Sequence, residues 1–131
     1  MSNKIDKILA EISAGELFDK ITILEIKKAK ISNREKLNDI EKELMSLNET
    51  VKKFIPDQSS ISNYIKDLKD INLKLWDIED GKRAAEKNND FGKQFIELAR
   101  NVYKFNDERA KIKLAINNNL GSNIKEIKSY E

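Results

Sequence analysis

The sequence predicts an all-α protein, an elongated antiparallel helical bundle with a long coiled-coil-like hairpin. Apolar residues recur at alternating steps of three and four along most of the chain, the spacing that lines one face of a helix, and no stretch alternates as a strand would. Composition agrees, because 39% hydrophobic against 37% charged residues suits narrow apolar seams on charged helices better than a thick core. A length of 131 residues fits one helical domain over 1–131 that needs no disulfide or metal to fold.

The elements follow in order. Ile5 to Ile12 reads as a minor leading helix. Ser13 stands three residues before Glu16, as in a capping box, and Leu17, Ile21, Leu24 and Ile31 then form a stripe. A second stripe, Leu37, Ile40, Leu44, Leu47, Val51 and Phe54, is offset from the first by one residue, with Ser32-Asn33 at the join. That offset predicts a stutter or kink in one continuous helix over 15–54, about 60 Å long. Pro56, the only proline, lies among turn formers from Ile55 to Ser60 and marks the main hairpin bend. Ser60 is placed to cap a helix over 61–87 carrying Tyr64, Leu68, Ile71, Leu75 and Ile78. After Asn88-Asn89, Asp90 is placed to cap a last helix over 91–120 with Phe91, Phe95, Leu98, Val102, Phe105, Ile112 and Ile116 on its seam. Gly121 stands in the terminating position, ahead of a tail over 121–131.

Several chemistries are excluded. With no cysteine and no histidine, the chain has no disulfide, no thiolate zinc site and no imidazole base. A metal would have to be a hard cation on oxygen ligands, Mg²⁺ or Mn²⁺ before zinc. The 25 Lys and Arg are interleaved with 23 Asp and Glu, so there is no basic face for nucleic acid. The densest basic stretch, Lys27, Lys28, Lys30 and Arg34, is bracketed by Glu25 and Glu35 and reads as a solvated face. No apolar run approaches the ~20 residues of a membrane span, and Met1 to Ala14 lacks a signal peptide's apolar run. A cytoplasmic location is the expectation. Four widely spaced glycines make no phosphate loop.

Charge placement points to one polar region. Arg109 occupies the seam position between Phe105 and Ile112, Lys82 follows Ile78 on the second stripe, and Lys28 lies between Leu24 and Ile31. Long stems reaching water from the bundle ends would explain all three, as would a shared anion or carboxylate network. Glu16 and Asp19 are three apart, as are Asp77 and Asp80 with Glu79 beside them. Such pairs on facing helices build the Mg²⁺ sites of helical nucleotide pyrophosphatases, which makes Asp19, Asp77 and Asp80 candidate metal ligands; surface salt bridges are the plain alternative. Trp76, the only tryptophan, is either core edge or a stacking platform for a sugar or base. Tyr103, Asn106 and Asp107 flank the Phe105 seam position and could line a groove or an interface.

Three blocks and a terminus form a further pattern: Gly15-Glu-Leu-Phe-Asp-Lys-Ile-Thr-Ile-Leu-Glu-Ile-Lys27, Leu75-Trp-Asp-Ile-Glu-Asp80, Glu97-Leu-Ala-Arg-Asn-Val-Tyr103 with Asn106-Asp107 and Arg109-Ala110, and Lys128-Ser-Tyr130. They resemble an uncharacterised bacterial family of small helical proteins, a domain of unknown function found alone or attached to sugar-transferring and repeat-containing proteins. The resemblance spans roughly residues 12 to 130; Ile127 stands where an acidic residue is expected before the terminal Lys-Ser-Tyr. Its blocks fall on Asp19, Lys20, Asp77, Asp80, Arg100, Asn106, Asp107 and Arg109, and leave Leu37 to Tyr64 without a motif. With Trp76 and Tyr103, the binding set expected at the polar end is Asp19, Lys20, Trp76, Arg100, Tyr103, Asn106, Asp107 and Arg109. The resemblance implies a non-catalytic binding or accessory protein linked to envelope-glycan metabolism through a sugar-transferring partner. Such a protein would bind a protein partner or a small anionic ligand there and form a homo-oligomer through the motif-free arm. The alternative is a Mg²⁺-dependent enzyme on a phosphorylated or nucleotide-sugar substrate, with Arg100 and Arg109 on phosphate.

Overall fold

In the computed structural model, which describes residues 4–129, the apolar stripes become four α-helices: α1 (Ala14–Lys30), α2 (Arg34–Phe54), α3 (Ser62–Lys87) and α4 (Lys93–Leu120). The all-helical bundle is as the sequence predicts, and no strand occurs among the described residues. Ser13 caps α1 by accepting from the Glu16 amide at 3.1 Å, and Gly121 ends α4 in the left-handed conformation at φ 65°, where a side chain would be strained. Residues 4–13 form no helix, in contrast to the leading helix expected over Ile5 to Ile12. Ile5, Ile8 and Leu9 lie exposed there, with no apolar surface against which a short helix could be held.

The continuous helix expected over 15–54 is broken. Ile31 turns extended at φ −91°, ψ 134°, and Asn33 starts α2 by accepting from the Lys36 amide at 3.0 Å. The one-residue phase offset at Ser32-Asn33 therefore marks a tight reversal, which turns two apolar faces toward each other. Leu24 of α1 and Ile40 of α2 are both buried, and Val51 joins Leu17, Phe18 and Ile21 of α1 in the central cluster. Among the described residues α2 packs on α1 and has no close backbone approach to α3 or α4. The hairpin thus closes at 31–33, and the Pro56 loop instead carries the chain across to α3.

α3 and α4 form the second hairpin. Ser60 donates to Asn119 at 2.8 Å, the Lys74 ammonium lies 5.3 Å from the Phe105 ring centroid, and Gly81 faces Leu98, so the two run antiparallel. Neither expected cap closes a helix by its side chain: Ser60 bonds to α4 instead, and Asp90 accepts from the Gly92 amide at 3.2 Å, a turn ahead of the helix. α4 also runs antiparallel to α1, with the Gly15 amide donating to Asn117 at 2.6 Å and Asp19 facing Arg109. α1 and α3 consequently point the same way, and α1 touches all three other helices.

Glycine at 15 is what allows the α1–α4 approach, because a Cβ there would run into the Lys113 carbonyl oxygen. The core fills around that crossing, with Ile61, Leu68 and Ile116 wholly buried. No helix among the described residues is long and apolar enough to cross a membrane.

Candidate functional site

Five polar residues buried where α1, α3 and α4 meet share one sequence relation. Asp19 follows Phe18, Thr22 follows Ile21, Asn72 follows Ile71, Lys113 follows Ile112 and Asn117 follows Ile116. A seam between two helices needs only its a and d positions inside, but a helix touching two neighbours also turns the adjoining position inward. The five side chains are buried because each of their helices serves two contacts.

Four of them form a connected set, while Asn117 accepts from the Gly15 amide. Asn72 donates to Asp19 Oδ1 at 3.0 Å and to Thr22 Oγ1 at 2.9 Å, and the Thr22 hydroxyl donates to the Asp19 carbonyl at 2.9 Å. The Asp19 carboxylate, 3% exposed as a residue, faces Arg109 Nε at 3.6 Å and Lys113 Nζ at 3.8 Å. Lys113 Nζ also donates to Glu16 at 2.7 Å and to Glu126 of the tail at 3.1 Å. The Ser13 hydroxyl completes the set by donating to the other Glu126 oxygen at 3.2 Å. Each buried charge faces an opposite one, the condition for holding ions away from water.

Protonation follows from these contacts. Burial alone would lower the Lys113 pKa, but hydrogen bonds to Glu16 and Glu126 and the charge of Asp19 carry it above its ordinary value. Burial alone would raise Glu126, but Lys113, first by its hydrogen bond and then by its charge, takes the carboxyl below its ordinary value, with Ser13 adding to the effect. Both groups are held in their charged forms.

Two openings flank this set and meet at Arg109. A cleft of about 340 Å³ lies between α4 and the tail, lined by Asn106, Arg109, Lys113, Asn117, Glu126 and Lys128 among others. A groove of about 280 Å³ lies between α1, α3 and α4; Trp76, Glu79, Asp80, Arg83 and Arg109 line it over an apolar floor that includes Ile26.

Of the residues expected at the polar end, Asp19 and Arg109 meet in the network, Trp76 joins Arg109 in the groove, and Asn106 lines the cleft. Asp107 sits at the cleft's edge, paired with Lys128 at 2.9 Å. Lys20 is at the exposed margin, 3.9 Å from Glu16. Arg100 is not brought to this site; it lines a separate depression near Gly92 and Lys104. Tyr103 is 57% exposed. Of the three seam cations only Arg109 enters the network; Lys82 pairs at the surface with Glu79 at 3.4 Å, and Lys28 is exposed beside α2. Tyr130 lies outside the described residues.

The candidate metal ligands are not gathered. Asp19 is buried and faces two cations, Asp77 is exposed and Asp80 lies across the groove. Among the described residues no group of three or more acidic side chains is placed to hold a metal ion. Sequence reasoning missed Thr22, Asn72, Lys113, Asn117 and Glu126. The first four flank the seams, and a stripe two positions wide was the available signal; Glu126 lies in a tail without periodicity.

No curated protein and no solved structure matches the chain. The three motif blocks that supply Asp19, Trp76 and Arg109 lie within residues 8–131, and over that span the chain belongs to a family of unknown function, DUF6165.

Proposed function

We propose that the protein is a non-catalytic binding protein that holds a sugar-bearing, anionic ligand in the Trp76 groove, as an accessory to a sugar-transferring enzyme. The groove itself supports this most strongly. An indole over an apolar floor offers a flat face to the C–H side of a sugar ring. Arg83, Arg109, Glu79 and Asp80 at its rim supply the few polar groups that fix orientation in such a site, and a guanidinium pair suits phosphate or carboxylate. The Mg²⁺-dependent alternative is not favoured, because the carboxylates it needs are apart and Asp19 already faces Arg109 and Lys113.

In this reading the protein works in a bacterial cytoplasm and self-associates through the outer face of α2, where Met45 and Phe54 are 65% and 69% exposed. It has no nucleic-acid partner, consistent with its net charge of only +2. The link to glycan metabolism rests on family likeness and not on site chemistry.

Trp76 is the sole tryptophan, so its fluorescence reports the groove directly. Titration with nucleotide sugars and sugar phosphates should give a saturable change with at least one of them, weakened in Arg83→Ala at unchanged melting temperature. A flat response to the whole set would overturn the reading.

A further inference from the structure

One carboxylate at the junction differs from the others in where it comes from. Without Glu126, Lys113 and Arg109 still face Glu16 and Asp19, with Lys20 3.9 Å from Glu16. Glu126 adds a third carboxylate, and it comes from the segment after Gly121, which carries no helix. Its side chain remains 48% exposed while its oxygens take hydrogen bonds from Lys113 and Ser13. A helix-borne carboxylate is fixed by its backbone, whereas this one is held by its own contacts and those of its immediate neighbours.

One polar group on the wall of the cleft it occupies is left over. In the same cleft Asn117, 1% exposed, leaves its amide nitrogen Nδ2 without a hydrogen-bond partner among the described residues. Its Oδ1 is already committed to the Gly15 amide, so a flipped amide would strand that donor instead. A buried unpaired donor is uncommon enough to call for an explanation. An oxyanion that reached Nδ2 from the cleft Asn117 lines would satisfy it. Arg109 and Asn106 line the same wall.

We propose that the cleft between α4 and the tail is an oxyanion-binding site that the Glu126 carboxylate fills from within the chain, and that a phosphate or carboxylate ligand binds by displacing the tail. The exchange conserves charge when a monoanion replaces Glu126, so the incoming group faces the same Lys113 ammonium. Ser122 moves with the tail and releases the Ala14 amide, to which its hydroxyl oxygen is bonded at 3.1 Å. This site shares only Arg109 with the Trp76 groove and does not depend on the sugar reading. The amides of Ala14, Gly15 and Lys113 report the cleft, whereas Trp76 emission reports the groove.

The test uses the full chain, labelled with ¹⁵N, as wild type and as Glu126→Ala and Glu126→Gln, both of which leave Lys113 its contacts with Glu16 and Asp19. Each is titrated with inorganic phosphate and with acetate, against sodium chloride at matched ionic strength. The expected result is a saturable shift at Ala14, Gly15, Lys113 and Asn117, at least tenfold tighter in both variants than in wild type, with residues 122–129 narrowing to flexible-chain signals. Stronger binding of phosphate would assign a phosphorylated ligand, and stronger binding of acetate a carboxylate. Equal responses in wild type and variants, shifts confined to other residues, or shifts reproduced by sodium chloride would overturn the proposal.

Discussion

The near and far halves of the α3–α4 hairpin are made of the same kind of sequence and covered very differently. Near the loop that follows Pro56 and near the tail, the hairpin lies against α1, and Leu68, Ile71, Asn72, Lys113, Ile116 and Asn117 are all buried. From Ala84 to Lys104, beyond the groove beside α1, no residue is buried. Phe91, Ile96 and Tyr103 stay about half exposed, although Phe91 and Phe95 still meet edge to face at 5.4 Å. An apolar stripe reports that a helix has a face to cover; burial depends on a third element arriving. The junction has one and the far half does not.

The strongest way to break the junction is to remove the carboxylate at its centre. Asp19→Ala leaves Lys113 and Arg109 without a shared anion and takes from Asn72 one of its two acceptors. Breaking such a buried pair costs about 3–5 kcal/mol, so urea unfolding should show a much lower midpoint, with Asp19→Asn also destabilised because it keeps the shape and loses the charge. A loss under about 1 kcal/mol would mean that the set behaves as a surface ion pair.

That network was only half legible in the sequence. Arg109 stood out because it is charged on a seam, Asp19 because it lies three residues after Glu16 within a motif block, and Trp76 because it is the only tryptophan. Asn72 and Thr22 are ordinary polar residues for a helix, and they matter only because α1 and α3 run in the same direction, which no periodicity specifies. The reversal at Ile31–Asn33 was visible as a one-residue slip in phase, yet a kinked helix shows the same slip. The ends of α2, α3 and α4 were better defined, since Pro56, the Asn88-Asn89 pair and Gly121 mark breaks that periodicity alone leaves vague.

A milder perturbation is pH. Glu126 titrates below its ordinary value of 4.5, so its contribution is present above that value and is lost as pH falls through the lower value it has in the fold. Lys113, raised above 10.5, contributes fully below that value and is lost only as pH rises through its folded one. Acidification should therefore loosen the tail first. In amide spectra, Ala14 and Ser122 should move together below pH 4.5, and the step should be absent in Glu126→Gln; a step that persists in that variant would assign it to another carboxylate.

The smallest effect belongs to the far half. Ile96→Ala removes a side chain that is 50% exposed and should change stability by no more than about 0.5 kcal/mol. Hydrogen exchange should show the same contrast without mutation, with amides from Ala84 to Lys104 exchanging faster than those around Leu68 and Ile116. Equal protection of the two halves would indicate that something covers the far half in solution.

The contacts that dock the tail also bind the beginning of the described chain to its end. Glu11 accepts from Asn123 at 2.7 Å, Ser13 donates to Glu126, and the Ala14 amide donates to Ser122. The polypeptide thus comes in and goes out through the same doorway, at the lip of the cleft. A neighbour joined before Glu11 or after Glu126 would be delivered to one address whichever side it was attached to. Gene fusion in either order would place it beside the same opening.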